Sequence, residues 1–179
     1  MKKSLFFSTT LFVSILFAST STYNPDKISM DLMKTLGGNL KKHLKANGPV
    51  DALKFCALNA YKLTQQIKSK YPNADIKRIS LKPRNPLDAP NKEEKIVLKT
   101  FEHLCNCGTK PKEIVIETKN EKKIFKPLFI SKKVCLKCHG NINPNSKIGK
   151  TIHAYYPKDK ATRYKLGDFR GAIEITLKK

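Results

Sequence analysis

The sequence predicts an α+β domain, with helices gathered early in the chain and a small antiparallel sheet later. Three observations carry that prediction. Apolar residues recur at helical spacing as far as Leu104, period-two β-branched runs take over beyond Gly108, and a polar Asn120-Glu121 step separates two such runs.

The first helix follows Pro25-Asp26, where Ile28, Leu32, Leu36, Leu40 and Leu44 recur one turn apart. Gly37-Gly38 weaken its middle, and Asn47-Gly48-Pro49 break it. Pro49 suits a first helical turn, and Leu53, Cys56, Ala57, Ala60, Leu63 and Ile67 form one apolar face of a second helix ending near Tyr71-Pro72. Cys56 falls in the centre of that face. Pro83, Pro86 and Pro90 make the stretch from Ile79 to Pro90 an extended loop. A third helix then turns Val97, Leu98, Phe101 and Leu104 inward. Ile114-Val115-Ile116 and the run from Ile124 to Ile130 read as a hairpin, in which Pro127 demands an edge or a bulge. After Ile152 to Tyr156 and a Lys- and Asp-rich loop, alternating Ile173, Ile175 and Leu177 close the sheet. No internal repeat is visible.

Met1 is followed by Lys2 and Lys3, an apolar stretch from Leu5 to Phe17, and the small residues Ala18-Ser19-Thr20. Residues 1–20 therefore read as a signal peptide, and residues 21–179 as a single domain. The stretch is short and interrupted beside the roughly 20 apolar residues of a membrane span, although a retained N-terminal anchor is the alternative. Export places the mature protein in the periplasm. A chain of 179 residues is long enough for one sizeable core.

Its 36 basic and 14 acidic residues give a formal charge of +22. Such a field favours acidic protein partners and makes encounter rates depend on salt. Export argues against nucleic acid as the target. Lysine-rich composition also fits a surface that is simply well solvated.

Within this exported chain stands Cys135-Leu136-Lys137-Cys138-His139, the attachment sequence of a c-type haem. Two thiols at this spacing reach the two vinyl groups of one haem edge, and the adjacent imidazole falls beneath the iron. A zinc site uses wider His spacing, and a disulfide pair needs no His at all. One covalent haem, held by Cys135 and Cys138 with His139 as iron ligand, is the reading these residues support. A structural zinc site or a disulfide pair is the alternative.

Three further cysteines remain: Cys56, Cys105 and Cys107. A disulfide between Cys105 and Cys107, divided only by Asn106, is strained. For the second axial position Met30, Met33, His43, His103, His153 and Cys56 all compete, because each residue type can ligate haem iron. Each has a plain reading as helix packing or solvated surface, and a buried Cys often acts as a small hydrophobe. Cys56 stands out by its apolar helix face.

Several strings taken together resemble one family: Lys77-Arg78-Ile79-Ser80-Leu81, Arg84-Asn85-Pro86, Phe125-Lys126-Pro127 before the Cys135 to Gly140 motif, Tyr156-Pro157-Lys158-Asp159-Lys160-Ala161-Thr162, and Leu166-Gly167-Asp168-Phe169-Arg170-Gly171-Ala172. They are similar to exported c-type haem proteins grouped as a domain of unknown function, a domain also met as the extracytoplasmic input module of some bacterial histidine kinases. The resemblance runs from about Asp51 to Ile175. It implies a PAS-like fold and a haem whose sixth ligand is a Cys on an early helix, here Cys56, opposite His139, and a thiolate there favours ferric iron and a low potential. Arg78, Arg84 and Lys126 lie in or near these strings and suit haem propionates, although each also reads as a solvated charge. Arg170, beside Gly171, reads equally well as strand-edge chemistry. Cys105 and Cys107 lie outside the family pattern, and Arg163 stands where relatives commonly carry Gly.

The expected function is that of a periplasmic monohaem cytochrome in electron transfer or in redox or gas sensing, with a redox protein as partner and CO or NO as candidate gas ligands. It is not expected to be an enzyme. A small haem enzyme of peroxidase or nitrogen-oxide reductase type, with His153 as acid–base group, is the second class. A zinc or thiol protein using Cys105, Cys107, Cys135 and Cys138 is the third.

Overall fold

A computed structural model describes residues 23–179 as helices packed against a four-stranded antiparallel sheet, the α+β class expected. The signal-peptide reading of residues 1–20 falls outside the described residues. Among those described, no helix is long and apolar enough to cross a membrane.

Helix α1 spans Pro25–Lys68 and begins as its sequence requires: the Asn24 side chain accepts from the amides of Asp26 and Lys27, and Pro25 opens the first turn. At Gly48 the backbone leaves helical geometry, with φ 81° and ψ −172°, and Pro49 starts a second arm. That arm returns alongside the first. A straight helix would separate Asp31 from Tyr71 by about 60 Å at 1.5 Å per residue, yet the Tyr71 hydroxyl donates to Asp31 at 2.6 Å. Near the tip, His43 stacks on Phe55 with ring centroids 4.0 Å apart. The break predicted at Asn47-Gly48-Pro49 is therefore the turn of a helical hairpin.

Strand β1 (Ala74–Ile79) follows, then a short 3-10 turn at Pro86–Asp88 within the proline-rich loop, and α2 (Lys92–Asn106). Asn91 and Glu94 form a reciprocal capping box at the start of α2. Val97, Leu98 and Phe101 are buried as predicted, with Leu104 half-buried. Strands β2 (Ile114–Glu117) and β3 (Glu121–Phe129) make the expected hairpin. A 3-10 turn at Lys133–Cys135 leads into the single-turn helix α3 (Leu136–His139), then α4 (Lys147–Tyr155) and β4 (Phe169–Lys178).

The strand order is β1-β4-β3-β2, which puts the last strand in the centre. Two features differ from the expected succession of helices and then sheet. Strand β1 precedes α2 and pairs along its whole length with β4, and helices α3 and α4 interrupt the strand region. Pro127 is accommodated on both grounds foreseen: β2 accompanies β3 only to Phe125, and the β3–β4 register shifts between Leu128 and Phe129.

Register assigns the faces. Ile76, Ile175 and Ile124 share one row and pack under α1 with Ile28, Leu32 and Ile67. Ile79, Ala172, Phe125 and Ile114 lie on the opposite face, under Val97, Leu98 and Phe101 of α2. The sheet is thus a middle layer between α1 and α2. On the α1 face, Arg78 and Leu128 continue the apolar rows toward one end, where the core opens into a cavity.

Candidate functional site

That cavity, about 330 Å³, lies between the two arms of α1, the end of the sheet and the segment carrying α3. Its walls are mainly apolar, with Leu36, Leu40 and Leu44 from the first arm, Leu53 from the second, and Leu128 and Ile130 from the β3 end. Into it open Cys56, Cys135, Cys138 and His139. Residues three and four apart share a helix face, so one helical turn suffices to bring Cys135, Cys138 and His139 to the same side.

His139 is held in one orientation. Its Nδ1 lies 2.7 Å from the Ala161 carbonyl, which can only accept, so Nδ1 carries the proton and Nε2 keeps its lone pair. Burial, with the Arg84 and Arg170 charges, lowers its pKa to about 3, so the imidazole is neutral. The ring of Tyr164 stands edge-on to it, 6.2 Å away, and the Tyr164 amide donates to the His139 carbonyl. Cys56 faces the motif from the α1 side. Burial above all, then the neighbouring Cys138, pushes its thiol pKa up against the pull of Arg78 and Arg84.

Arg84 ties the motif segment to the loop after α4. Its Nη2 donates to the Cys138 carbonyl at 2.6 Å and to the Ala161 carbonyl at 3.2 Å. Its Nε and Nη2 also hold the Asp159 carboxylate, each at 3.1 Å. Four contacts occupy this guanidinium within the protein, although it borders the cavity.

The polar end of the cavity belongs to Arg78 and Arg170. Arg78 makes one long contact of 3.4 Å to Asp88, whose carboxyl burial pushes up despite that cation. Arg170 donates to the Ser80 hydroxyl at 2.5 Å and to the Lys82 carbonyl at 3.2 Å, and has no carboxylate partner among the described residues. The sequence offered no decisive signal for Arg170, since its neighbours Ser80 and Lys82 come from β1's end, 90 and 88 residues earlier.

A family model described as Tll0287-like (Tll0287) matches residues 15–178. The chain belongs to the Tll0287-like family. Among solved structures it is similar to the one titled as the cyanobacterial heme-protein Tll0287, with a TM-score of 0.65 and 21% identity over 88% of this chain and 98% of that one. At that identity the likeness is one of fold. No curated protein matches the chain.

Within this Tll0287-like chain, several residues weighed from sequence fall outside the cavity. Lys126, expected to meet propionates, pairs instead with Asp26 and Glu113 and does not line the cavity. Its position beside Phe125 and Pro127 said nothing of acidic partners brought in from the N-terminus of α1 and the approach to β2. His43 pairs with Asp51 at 2.7 Å, and His103 lies on α2 beside Cys107, across the sheet. His153 is exposed and lines a separate surface cavity. Met30 is exposed, and Met33 borders the cavity mouth. All five cysteines are free thiols, so Cys105 and Cys107 form no disulfide. Nor do the four sulfurs of the zinc reading converge, because among the described residues no three Cys, His, Asp or Glu side chains gather to hold a metal.

Proposed function

We propose that this protein is a periplasmic monohaem c-type cytochrome acting in one-electron transfer, with redox or gas sensing as the variant of the same chemistry. The observation that carries the reading is the convergence of Cys56, Cys135, Cys138 and His139 on one apolar cavity, with the His139 tautomer fixed by the Ala161 carbonyl. Cys135 and Cys138 would form the thioethers, and His139 and Cys56 the two axial bonds to iron. When bound, the haem supplies a one-electron ferric/ferrous couple.

The chain's residues fit that group in three further respects. Gly37 borders the cavity in the middle of α1, and a Cβ there would have no atom within 4 Å, so the helix leaves room beside a flat ligand. Arg78 and Arg170 offer cations to propionates, a role that Arg84 surrenders to Asp159. A Cys56 thiolate adds negative charge at the iron and favours the ferric state, which sets a low potential. Cys56 and His139 sit on different elements, α1 and α3, so a change in Cys56 ligation is felt by the helical hairpin. That arrangement supports the sensing variant.

The test is chemical. After expression in a host that matures c-type cytochromes, mass spectrometry of the peptide containing residues 135–139 is expected to show one added haem. Ferric EPR is expected to show a low-spin thiolate signature that Cys56→Ala abolishes. A colourless protein with an unmodified peptide overturns the proposal. A measured CO affinity, set beside the rate of electron exchange with a cytochrome pool, separates sensor from carrier.

A further inference from the structure

The charge of this chain is unevenly placed. Six of its 14 acidic residues fall between Glu93 and Glu121, whereas the 37 residues from Lys122 to Lys158 contain nine lysines and no Asp or Glu. In the fold, Lys122, Lys123 and Lys126 are neutralised by Glu117, Glu93, Glu121, Asp26 and Glu113. Lys132, Lys133 and Lys137, which flank the motif cysteines, are exposed and make no ion pair among the described residues.

These three lysines adjoin residues that line the cavity, for Lys133 precedes Val134 and Lys137 precedes Cys138. Val134 lines the cavity and is also 39% exposed, so the cavity meets solvent at the residue next to Cys135, a second opening besides the mouth at Met33. Beside it, the Gly167 amide donates to the Ile130 carbonyl at 2.8 Å, which brings in the loop carrying Lys165 and Leu166, the latter 52% exposed. Tyr164 of that loop shares a small core with Ile130, Cys135 and Leu136. An apolar centre with a lysine-rich rim is thereby built at this opening, the one acidic member of the loop being Asp168, whose carboxylate accepts from the Lys165 amide at 2.6 Å.

We infer that this lip, Val134 and Leu166 ringed by Lys132, Lys133, Lys137 and Lys165, is the docking face for an acidic one-electron carrier protein. The inference rests on the haem reading above and gives it a partner and a place. Unpaired lysines attract a negative surface over a Debye length and orient it on the opening. Two exposed apolar residues form too small a centre for a permanent complex and suit a short-lived redox encounter, on the order of 1,200 Å² or less. The transfer moves one electron between the carrier and the metal centre, oxidising one by one unit as the other is reduced, and breaks no bond.

The experiment uses the haem-loaded protein and flavodoxin hydroquinone as the acidic donor. Lys132→Glu/Lys133→Glu/Lys137→Glu is compared with Lys92→Glu/Lys95→Glu/Lys99→Glu, an equal charge change on exposed residues of α2 across the sheet. The lip variant is expected to lower the second-order rate by about tenfold at low ionic strength, with the difference vanishing in high salt and the α2 variant changing far less. Carbodiimide cross-linking, read by peptide mapping, is expected to join flavodoxin carboxylates to Lys132, Lys133 or Lys137. Equal slowing by both variants, or cross-links spread over the whole surface, overturns the inference while leaving the haem reading intact. Peptide mass and visible spectrum recorded beforehand show whether the haem reading itself fails, which removes both. Should the triple variant not load haem, the single variants Lys133→Glu and Lys137→Glu carry the same comparison at smaller amplitude.

Discussion

The Arg84 guanidinium binds the Asp159 carboxylate through two hydrogen bonds of 3.1 Å and, with the same group, the carbonyl of Cys138 at 2.6 Å. Side chains of both residues are nearly buried, 10% and 7% exposed. The pair clamps the motif turn to the loop that supplies the Ala161 carbonyl to His139.

Removing one member leaves the other charge buried and unpaired, which costs roughly 3–5 kcal/mol. Arg84→Ala is expected to lower stability by that order in urea unfolding. Arg84→Lys, which keeps the charge but loses the two-pronged geometry, is expected to recover only part. If Arg84 were merely a propionate cation, the unloaded protein would be indifferent to both changes.

Cys56→Ala is expected to raise the midpoint potential. Axial ligands span roughly 0.8 V across haem proteins, and loss of a thiolate here is expected to move the potential by on the order of 0.1 V. Spectroelectrochemical titration of wild type and variant measures it. An unchanged potential would mean that Cys56 packs in the cavity wall without touching the metal.

A different chemistry sits across the sheet. Glu174 of β4 is buried with one carboxylate oxygen lacking any hydrogen-bond partner, and it faces Glu94 of α2, Lys77 of β1 and Lys123 of β3. Lys77 holds Glu94 at 2.8 and 2.9 Å. Burial raises the Glu94 pKa, but those bonds outweigh it and leave a net lowering. Burial, and then the neighbouring Glu94, raises Glu174 to about 7. The folded protein therefore binds a proton on Glu174 that the unfolded chain releases near its ordinary value of 4.5. That contribution is complete below pH 4.5 and disappears as pH rises through about 7. Stability is expected to decline across that window by on the order of 1 kcal/mol after solvent screening. Glu174→Gln is expected to flatten the decline, and unfolding midpoints at pH 5 and pH 8 measure it.

The legibility of this fold in its sequence follows the range of the forces involved. Helical spacing marked both arms of α1 and the buried face of α2, because each arm buries one continuous stripe. Strand β1 carries no clear signal in the sequence because Arg78 occupies the α1-facing position where an apolar residue would have completed the alternation begun by Ala74 and Ile76. Arg78 lines the cavity instead. The convergence of Cys135, Cys138 and His139 on one cavity was legible because spacings of three and four residues fit a single helical turn. Asp159, Ala161 and Arg170 gain their roles from partners 75, 22 and 90 residues away, a separation that carries no local signature.

Gly37 and Gly38 give the last expectation, since they sit together in α1 and differ in what they face. Glycine in a helix interior costs roughly 0.5–1 kcal/mol relative to alanine. Neither residue has a left-handed backbone or a close neighbour to justify that cost, for a Cβ at either would meet no atom within 4 Å. Gly37 borders the cavity and Gly38 does not. Alanine at either site is expected to stabilise the haem-free protein by about 0.5–1 kcal/mol in urea unfolding. Leucine separates them: Gly38→Leu is expected to load haem normally, whereas Gly37→Leu fills the space beside the ligand and lowers the Soret absorbance per protein. Equal loading by both leucine variants would show that Gly37 is retained for some reason other than room for the ligand.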